Sequence, residues 1–515
     1  MAKQSPGENP PAAATLKPGA IGFVSSMVIG LASTSPAYSL AAIIGPMVAL
    51  VGVFAPGALL ASFVPMLLIA SAFYYLNRVD SDCGTTFSWV TRAMGPWFGW
   101  LGGWAIGMTG VLVVGSLANV GVTYGLLAFG LDDLVENDWV VKGLTVALII
   151  VMTAICVIGT ELSAHFQDVL IIAQVLALLA FAVTALYGGL SGTSTASTDL
   201  GDFVATTPEL GWLNPFGAGG AALTGALLLG VFAYWGWESA VNLNEETEGA
   251  SSTPGRAAIA STFVLLVTYV GVAVAVVSYA GVDFLADNAE EEEAIFGILA
   301  DQVMGGWSWV VLLAVSTSAI ASTQTTIIPA SRTGLSMARR LAMPRALGHI
   351  HPRFRTPDVS TWTVAVIAIV WYLVVDALSE NALFDSLTAL SLLIAFYYGL
   401  TGLACAIYYR RELTKSVKNF LLIGVGPVIG AILLFWLLVE SIIDMSDPEN
   451  SYTGVAWFGV GPPLVIGVGV FVIGVLFMIF WRIHDGRYWQ EKPSVADPVL
   501  AAGWTRDADG NEVVR

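Results

Sequence analysis

Long stretches of uncharged, mostly apolar residues recur along almost the whole chain, and no other feature limits its fold so strongly. Leu464–Trp481, for example, carries no charge over its whole length, and Val364–Val375 is equally bare. A run of about twenty such residues matches the thickness of a bilayer core. Inside that core a backbone N–H or C=O has no water to bond, so the run must satisfy itself as a helix. The alternation of a membrane barrel is missing. Composition agrees: 56% of the residues are hydrophobic and 11% charged, against about 25% charged in soluble domains.

Apolar windows place twelve expected spans at 20–50, 53–76, 96–130, 140–160, 164–189, 218–243, 257–281, 308–332, 361–379, 384–409, 419–441 and 456–482. The first and third are long enough to be tilted or broken. Basic residues collect on the cytoplasmic side of membrane helices, and one missed span would invert every later loop. With a cytoplasmic N-terminus, Lys3, Lys17, Arg78, Arg92, Arg256 and everything basic in 332–355, 410–418 and 482–515 fall inside. Of the 21 Lys and Arg only Lys142, at a helix end, falls elsewhere. Twelve spans with both termini in the cytoplasm therefore fit, in a cell membrane. The net charge of −17 reflects acids in loops, such as Asp132, Asp133, Glu136, Asp138 and Glu290–Glu293. It gives no reason to expect a nucleic-acid partner.

The chain divides into a cytoplasmic tail at 1–18, a membrane domain at 19–482 and a second cytoplasmic tail at 483–515, expected to be disordered past Lys492. The first tail lacks the apolar core of a signal peptide. Cys83, Cys156 and Cys405 fit neither a disulfide framework nor a metal spacing. His165, His349, His351 and His484 lie at cytoplasmic edges. Neither a nucleophile–base constellation, a phosphate loop nor a zinc motif is present, so no enzyme, metal or cofactor is expected.

Two spans are interrupted. The first carries Gly30–Ser39, GLASTSPAYS, and the sixth carries FAYWGWES before leaving through Asn242, Asn244 and a run of acids. Broken segments at matching places in two halves point to an inverted-repeat transporter with a site near the midplane. Half-helix N-termini offer donors to an anion, and C-termini offer carbonyls to a cation. Glu238 lies inside the sixth span, where a carboxylate costs roughly 2.5–3.5 kcal/mol or more unless partnered, so it reads as a proton carrier or gate. Trp235 and Trp237 point about 200° apart on an ideal helix, so at most one faces a pocket unless the break turns them. In the third span Ser116, Asn119 and Thr123 form a polar stripe, open to substrate contact or to helix–helix bonding. In the eighth, Ser316, Ser318, Ser322 and Thr323 offer hydroxyls for packing, or for Na⁺ at Ser318, Ser322 and Thr323.

These phrases resemble the amino acid–polyamine–organocation (APC) superfamily, in which F-x-[FY]-x-G-x-E marks the sixth-span break. Asp82–Trp104 and Pro329–Pro357 are similar to that family's entry to span three and its loop after span eight. The resemblance covers about residues 20–480. It implies an all-α, five-plus-five inverted repeat, at about 19–190 and 215–412, with peripheral helices at 419–482. By position, the backbone around Ala32, Ser33, Thr34 and Ser35 would take a substrate carboxylate. Phe232, Ala233, Tyr234, Trp235, Gly236 and Trp237 would take its ammonium and side chain, Phe232 as an aromatic gate and Glu238 as a proton-linked acid. Two departures stand out. Ala32–Pro36 reads ASTSP where relatives often carry Gly-x-Gly, and Gln174 stands where some proton-coupled relatives place a lysine.

The expected function is secondary active import of an amino acid or related small amine by alternating access, coupled to H⁺ or Na⁺. An amino acid–polyamine exchanger and a non-transporting nutrient sensor are the alternatives. A channel would need polarity along several whole spans, and here it is concentrated at the breaks. One buried acid disfavours a dicationic polyamine. The oligomeric state is left open.

Overall fold

The computed structural model describes residues 15–495, apart from 193, 195, 196, 199, 200, 290, 291, 379 and 452, and in the C-terminal tail only 504–506 and 512–514. Residues 1–14, Glu290, Glu291 and most of the tail past 495 lie outside the described residues. Among the described residues the regular structure is almost all helix, and the strands are two- and three-residue ladders, Ser197–Thr198 with Gly201–Asp202 and Trp504–Arg506 with Glu512–Val514.

Among the described residues, eleven helical segments are long and apolar enough to cross a membrane. They are Phe23–Val79, Pro96–Ala128, Asp138–Ile158, Gln167–Ser191, Gly220–Asn242, Thr253–Ala280, Phe296–Arg339, Asp358–Leu378, Asp385–Tyr408, Val417–Asp444 and Pro462–His484. The difference from twelve windows lies at the start. Windows 20–50 and 53–76 both fall in Phe23–Val79, 57 residues long, because the 3-10 turn Gly52–Phe54 joins them without a polar loop. The first window is broken, at Ser35, whereas the third forms one continuous helix of 33 residues, Pro96–Ala128.

Sidedness is legible on a helix at the rim of the bundle, whereas residues 28–41 and 321–333 are buried on every side. On Thr160–Ser191 the exposed Val169, Ile172, Leu176, Leu179 and Val183 recur every three or four residues, opposite the buried Ile171, Gln174, Leu178 and Phe181. One stripe faces lipid-like surroundings and the other the bundle. At the centre, Pro96–Ala128 packs along Ser308–Arg339 through glycines. A methyl added at Gly110 would lie 2.9 Å from Ala330 Cβ, and one at Gly121 2.9 Å from Ile320 Cγ1. Small residues let membrane helices approach this closely when no hydrophobic drive pulls them together. Ser308–Arg339 in turn packs against both broken segments, and Glu380–Tyr408 lies against Gly220–Tyr234 on one side and Pro96–Ala128 on another.

Candidate functional site: two helix breaks and a buried glutamate

The first break is a single residue. Phe23–Thr34 ends at Ser35, which adopts the left-handed conformation (φ 51°, ψ 61°), and Pro36 opens the next helix without needing an N–H partner. Local hydroxyls take up freed carbonyls. Thr34 Oγ1 donates to Leu31 O at 2.7 Å, and Ser39 Oγ donates to Thr34 O at 2.7 Å. The hydroxyls of Thr34 and Ser39 thus supply donors to the backbone of the break.

The second break is wider. Gly220–Tyr234 stops, Trp235 is extended (φ −70°, ψ 142°), Gly236 has φ 116°, and the helix resumes at Ser239–Asn242. Tyr269 Oη donates to the freed Ala233 carbonyl at 2.7 Å. Gly236 is required twice over. Its φ is one that side chains avoid, and a Cβ there would sit 2.6 Å from Ser33 O.

That contact brings the breaks together, backbone against backbone. Ser33 Oγ and Ser239 Oγ share a hydrogen bond of 2.7 Å across them. From Ser308–Arg339, Ser322 Oγ donates to Ser33 O at 3.0 Å, and Ser318 Oγ lies 3.1 Å from Ser35 Oγ. Thr323 Oγ1 instead donates within its own helix, to Ala319 O. Gln174 is fully buried, and neither polar atom of its amide has a hydrogen-bond partner.

Glu238 is buried just past the second break. Tyr397 Oη donates to one of its oxygens and Tyr398 Oη to the other. Trp235 Nε1 donates to Tyr397 Oη at 2.5 Å, and Trp237 stacks on Tyr398 with ring centres 5.4 Å apart. Both tryptophans are therefore built into the support of one carboxylate, each through a different tyrosine. Tyr397 and Tyr398 were not singled out from the sequence. The available signal was an adjacent tyrosine pair inside an apolar span, where a buried hydroxyl needs a partner. Phe232 is half-buried among core side chains. In Pro96–Ala128, Ser116 Oγ is buried without a partner, and Asn119 Nδ2 donates to Tyr372 Oη at 3.2 Å on Asp358–Leu378.

Toward the basic end of the bundle a layer of ion pairs underlies the breaks. Arg332 Nε and Nη2 bond Glu246 at 3.1 and 3.2 Å, and both residues are at most 1% exposed. Glu246 belongs to the acidic run after the sixth span, yet it is as buried as Glu238 because the chain turns back beneath the break. Around this pair lie Arg339–Glu245 at 2.9 Å, Arg340–Asp82 at 3.5 Å and Arg92–Asp80 at 2.9 Å. Burial lifts the Asp80 carboxyl above its ordinary value despite Arg92. Burial also raises Asp82, but Arg340 and hydrogen bonds from Ser336 and Gly84 outweigh it and hold the carboxyl low. Asp82, Cys83 and Glu245 place possible metal-ligand atoms within 4.8 Å of one another. The arginines already pair both carboxylates, so this cluster belongs to the ion-pair layer.

The arrangement suits recognition rather than bond-breaking chemistry: unwound backbone, hydroxyls and one shielded carboxylate. Residues 19–481 match the amino acid permease family. The chain is 24% identical to the branched-chain amino acid permease BcaP of Lactococcus lactis subsp. cremoris over 436 residues, covering 80% of this chain and 85% of that protein. It is 23% identical to the serine/threonine exchanger SteT of Bacillus subtilis, over 65% of this chain and 70% of the relative. It is also 28% identical to the human Asc-type amino acid transporter 1, over 55% of this chain and 47% of the relative. With two interrupted helices meeting beside a buried acid and a family match along almost its whole length, the chain is a multi-pass membrane protein of the amino acid permease family, within the amino acid–polyamine–organocation superfamily.

Proposed function

We propose that this transporter is a secondary active importer of a neutral amino acid, working by alternating access around the two breaks. The observation that carries the reading is the contact of Gly236 with Ser33, which sets one unwound backbone against another beside Glu238. A zwitterion needs donors for a carboxylate and acceptors for an ammonium, and a pair of helix interruptions offers both. In this reading the substrate carboxylate meets the N-terminus of Pro36–Val51. Its ammonium and side chain meet Phe232–Trp237, with Ser116 on the wall. Glu238 carries the proton and its two tyrosines hold it.

The proposed topology has twelve crossings, Phe23–Val79 contributing two of them, since 57 helical residues far exceed one bilayer thickness. The inverted repeats occupy about 19–190 and 215–412, and both termini are cytoplasmic. A sodium-coupled version is favoured by one feature, the two hydroxyls of Ser318 and Ser322 reaching the first break. An exchange mode draws support from the serine/threonine exchanger among the relatives.

Uptake into vesicles reconstituted with the full-length protein tests the reading, using a panel of twenty amino acids and polyamines against one labelled neutral amino acid. Saturable, gradient-dependent uptake competed by neutral amino acids is expected. Binding without flux would make the protein a sensor, and conductance would make it a channel.

A further inference from the structure

The segment Thr15–Ile21, just ahead of the first broken helix, crosses the basic end of the bundle and is held at both of its ends. At its far end the backbone pairs with the loop after the second break. Ala20 N and Ile21 N both donate to Glu246 O, at 2.7 and 3.2 Å, and Glu248 N donates back to Ile21 O at 2.9 Å. At its near end Arg355 grips it with three bonds: Nε to Thr15 O at 2.9 Å, Nη2 to Thr15 Oγ1 at 2.7 Å and Nη2 to Leu16 O at 2.9 Å. Leu16 is buried in a small cluster with Cys83, Leu335 and Ile350. Arg355 itself has a φ of 57°, an unfavourable conformation for a side-chain-bearing residue, fixed by its N–H donating to His351 O at 2.8 Å. Strain of this kind persists only where the surroundings impose it, and it concentrates at clamps and switches.

What the segment spans gives it meaning. One anchor lies on the Glu246–Glu248 loop, which continues the second broken helix. The other lies against Leu335 of Ser308–Arg339 and the loop that follows it. The buried Arg332–Glu246 pair joins the same two sides. A path from the breaks to the basic end of the bundle has to part these sides, and it cannot do so while one short strap is fastened to both.

We infer that Thr15–Ile21 is a latch that holds the basic end of the bundle closed and lets go of Arg355 when that end opens. The inference rests on the transport reading, because only a protein that opens at this end needs a latch there. Its release uncovers Cys83, one of three cysteines in the chain, all buried.

The full-length protein in lipid nanodiscs, with both faces accessible, is treated with a membrane-impermeant maleimide. Cys83 is the only thiol in a Cys156→Ser, Cys405→Ser background, and Cys405 the only one in a Cys83→Ser, Cys156→Ser background. Arg355→Gln removes the grip and Leu16→Ser removes the apolar plug, and each is expected to speed Cys83 labelling by about tenfold, the effect of losing one charged hydrogen-bond set or one buried side chain. A parallel background that keeps only Cys405, buried in Glu380–Tyr408 away from the strap, is expected to show no change. Unchanged Cys83 labelling in both variants overturns the latch. So does an equal rise at Cys405, which would make the strap a general brace. Uptake by the parent protein separates the two ideas: transport with insensitive Cys83 sinks the latch alone, whereas absence of transport sinks the reading beneath it.

Discussion

At the scale of single residues, Gly236 and Glu238 carry most of the argument. A methyl at Gly236 meets Ser33 O at 2.6 Å on a backbone with φ 116°, so Gly236→Ala combines overpacking of about 1–3 kcal/mol with left-handed strain of similar size. Uptake is expected to fall at least tenfold, with a clear drop in melting temperature in detergent. Tyr397 and Tyr398 look equivalent in sequence but not in space. Tyr397→Phe strands both Trp235 Nε1 and one oxygen of Glu238, whereas Tyr398→Phe strands only the other oxygen. Each stranded buried group costs about 1–3 kcal/mol, so Tyr397→Phe is expected to melt lower than Tyr398→Phe. Equal melting temperatures would show that the tryptophan bond contributes nothing. Under the proton-carrier proposal, Glu238→Gln keeps an acceptor for a tyrosine and abolishes the pH dependence of uptake. A pH profile matching that of the parent would remove Glu238 from that role.

At the scale of elements, the contact between the loop after the second break and Ser308–Arg339 depends on the Arg332–Glu246 pair. Removing one member leaves a buried charge alone, a loss of about 3–5 kcal/mol, whereas replacing both with apolar residues can be nearly neutral. Arg332→Met is therefore expected to destabilise far more than Arg332→Met with Glu246→Leu, and a thermal-melt double-mutant cycle measures the difference. Asp82, at the end of the same layer, adds a pH term. Its folded carboxyl lies below the ordinary value of about 3.9. The stability it contributes is complete above that value and fades as pH falls through the depressed one. Asp82→Asn is thus expected to lower the melting temperature at neutral pH, and the gap to the parent should narrow in acid.

At the scale of the whole molecule, the proposed coupling sets a proton at Glu238 against Na⁺ at the hydroxyls of Ser318 and Ser322. Under the proton proposal, replacing Na⁺ by choline leaves uptake intact, and a collapse of uptake in choline transfers the coupling role to the hydroxyls. The hydrophobic spans, their approximate ends and both interruptions were legible in the chain because each is a local property. Apolar length measures the bilayer, and a proline among hydroxyls or a glycine among aromatics marks where a helix fails. The merging of the first two windows was not legible, since Gly52–Phe54 looks like any short connection until its 3-10 turn is seen.

The sequence alone determined that this chain is a bundle of membrane helices with two of them broken and one acid in an apolar span. A bilayer core leaves a backbone few other choices. Tertiary structure decided who meets whom. Tyr397 reaches Glu238 across 159 residues, Ser322 reaches Ser33 across 289, and Arg355 reaches Thr15 across 340. Such pairings depend on which face of each helix turns inward and at what height, which only the packing of the whole bundle sets. Glu246 shows the same point: it reads as one acid in a polar loop, and the fold buries it against Arg332.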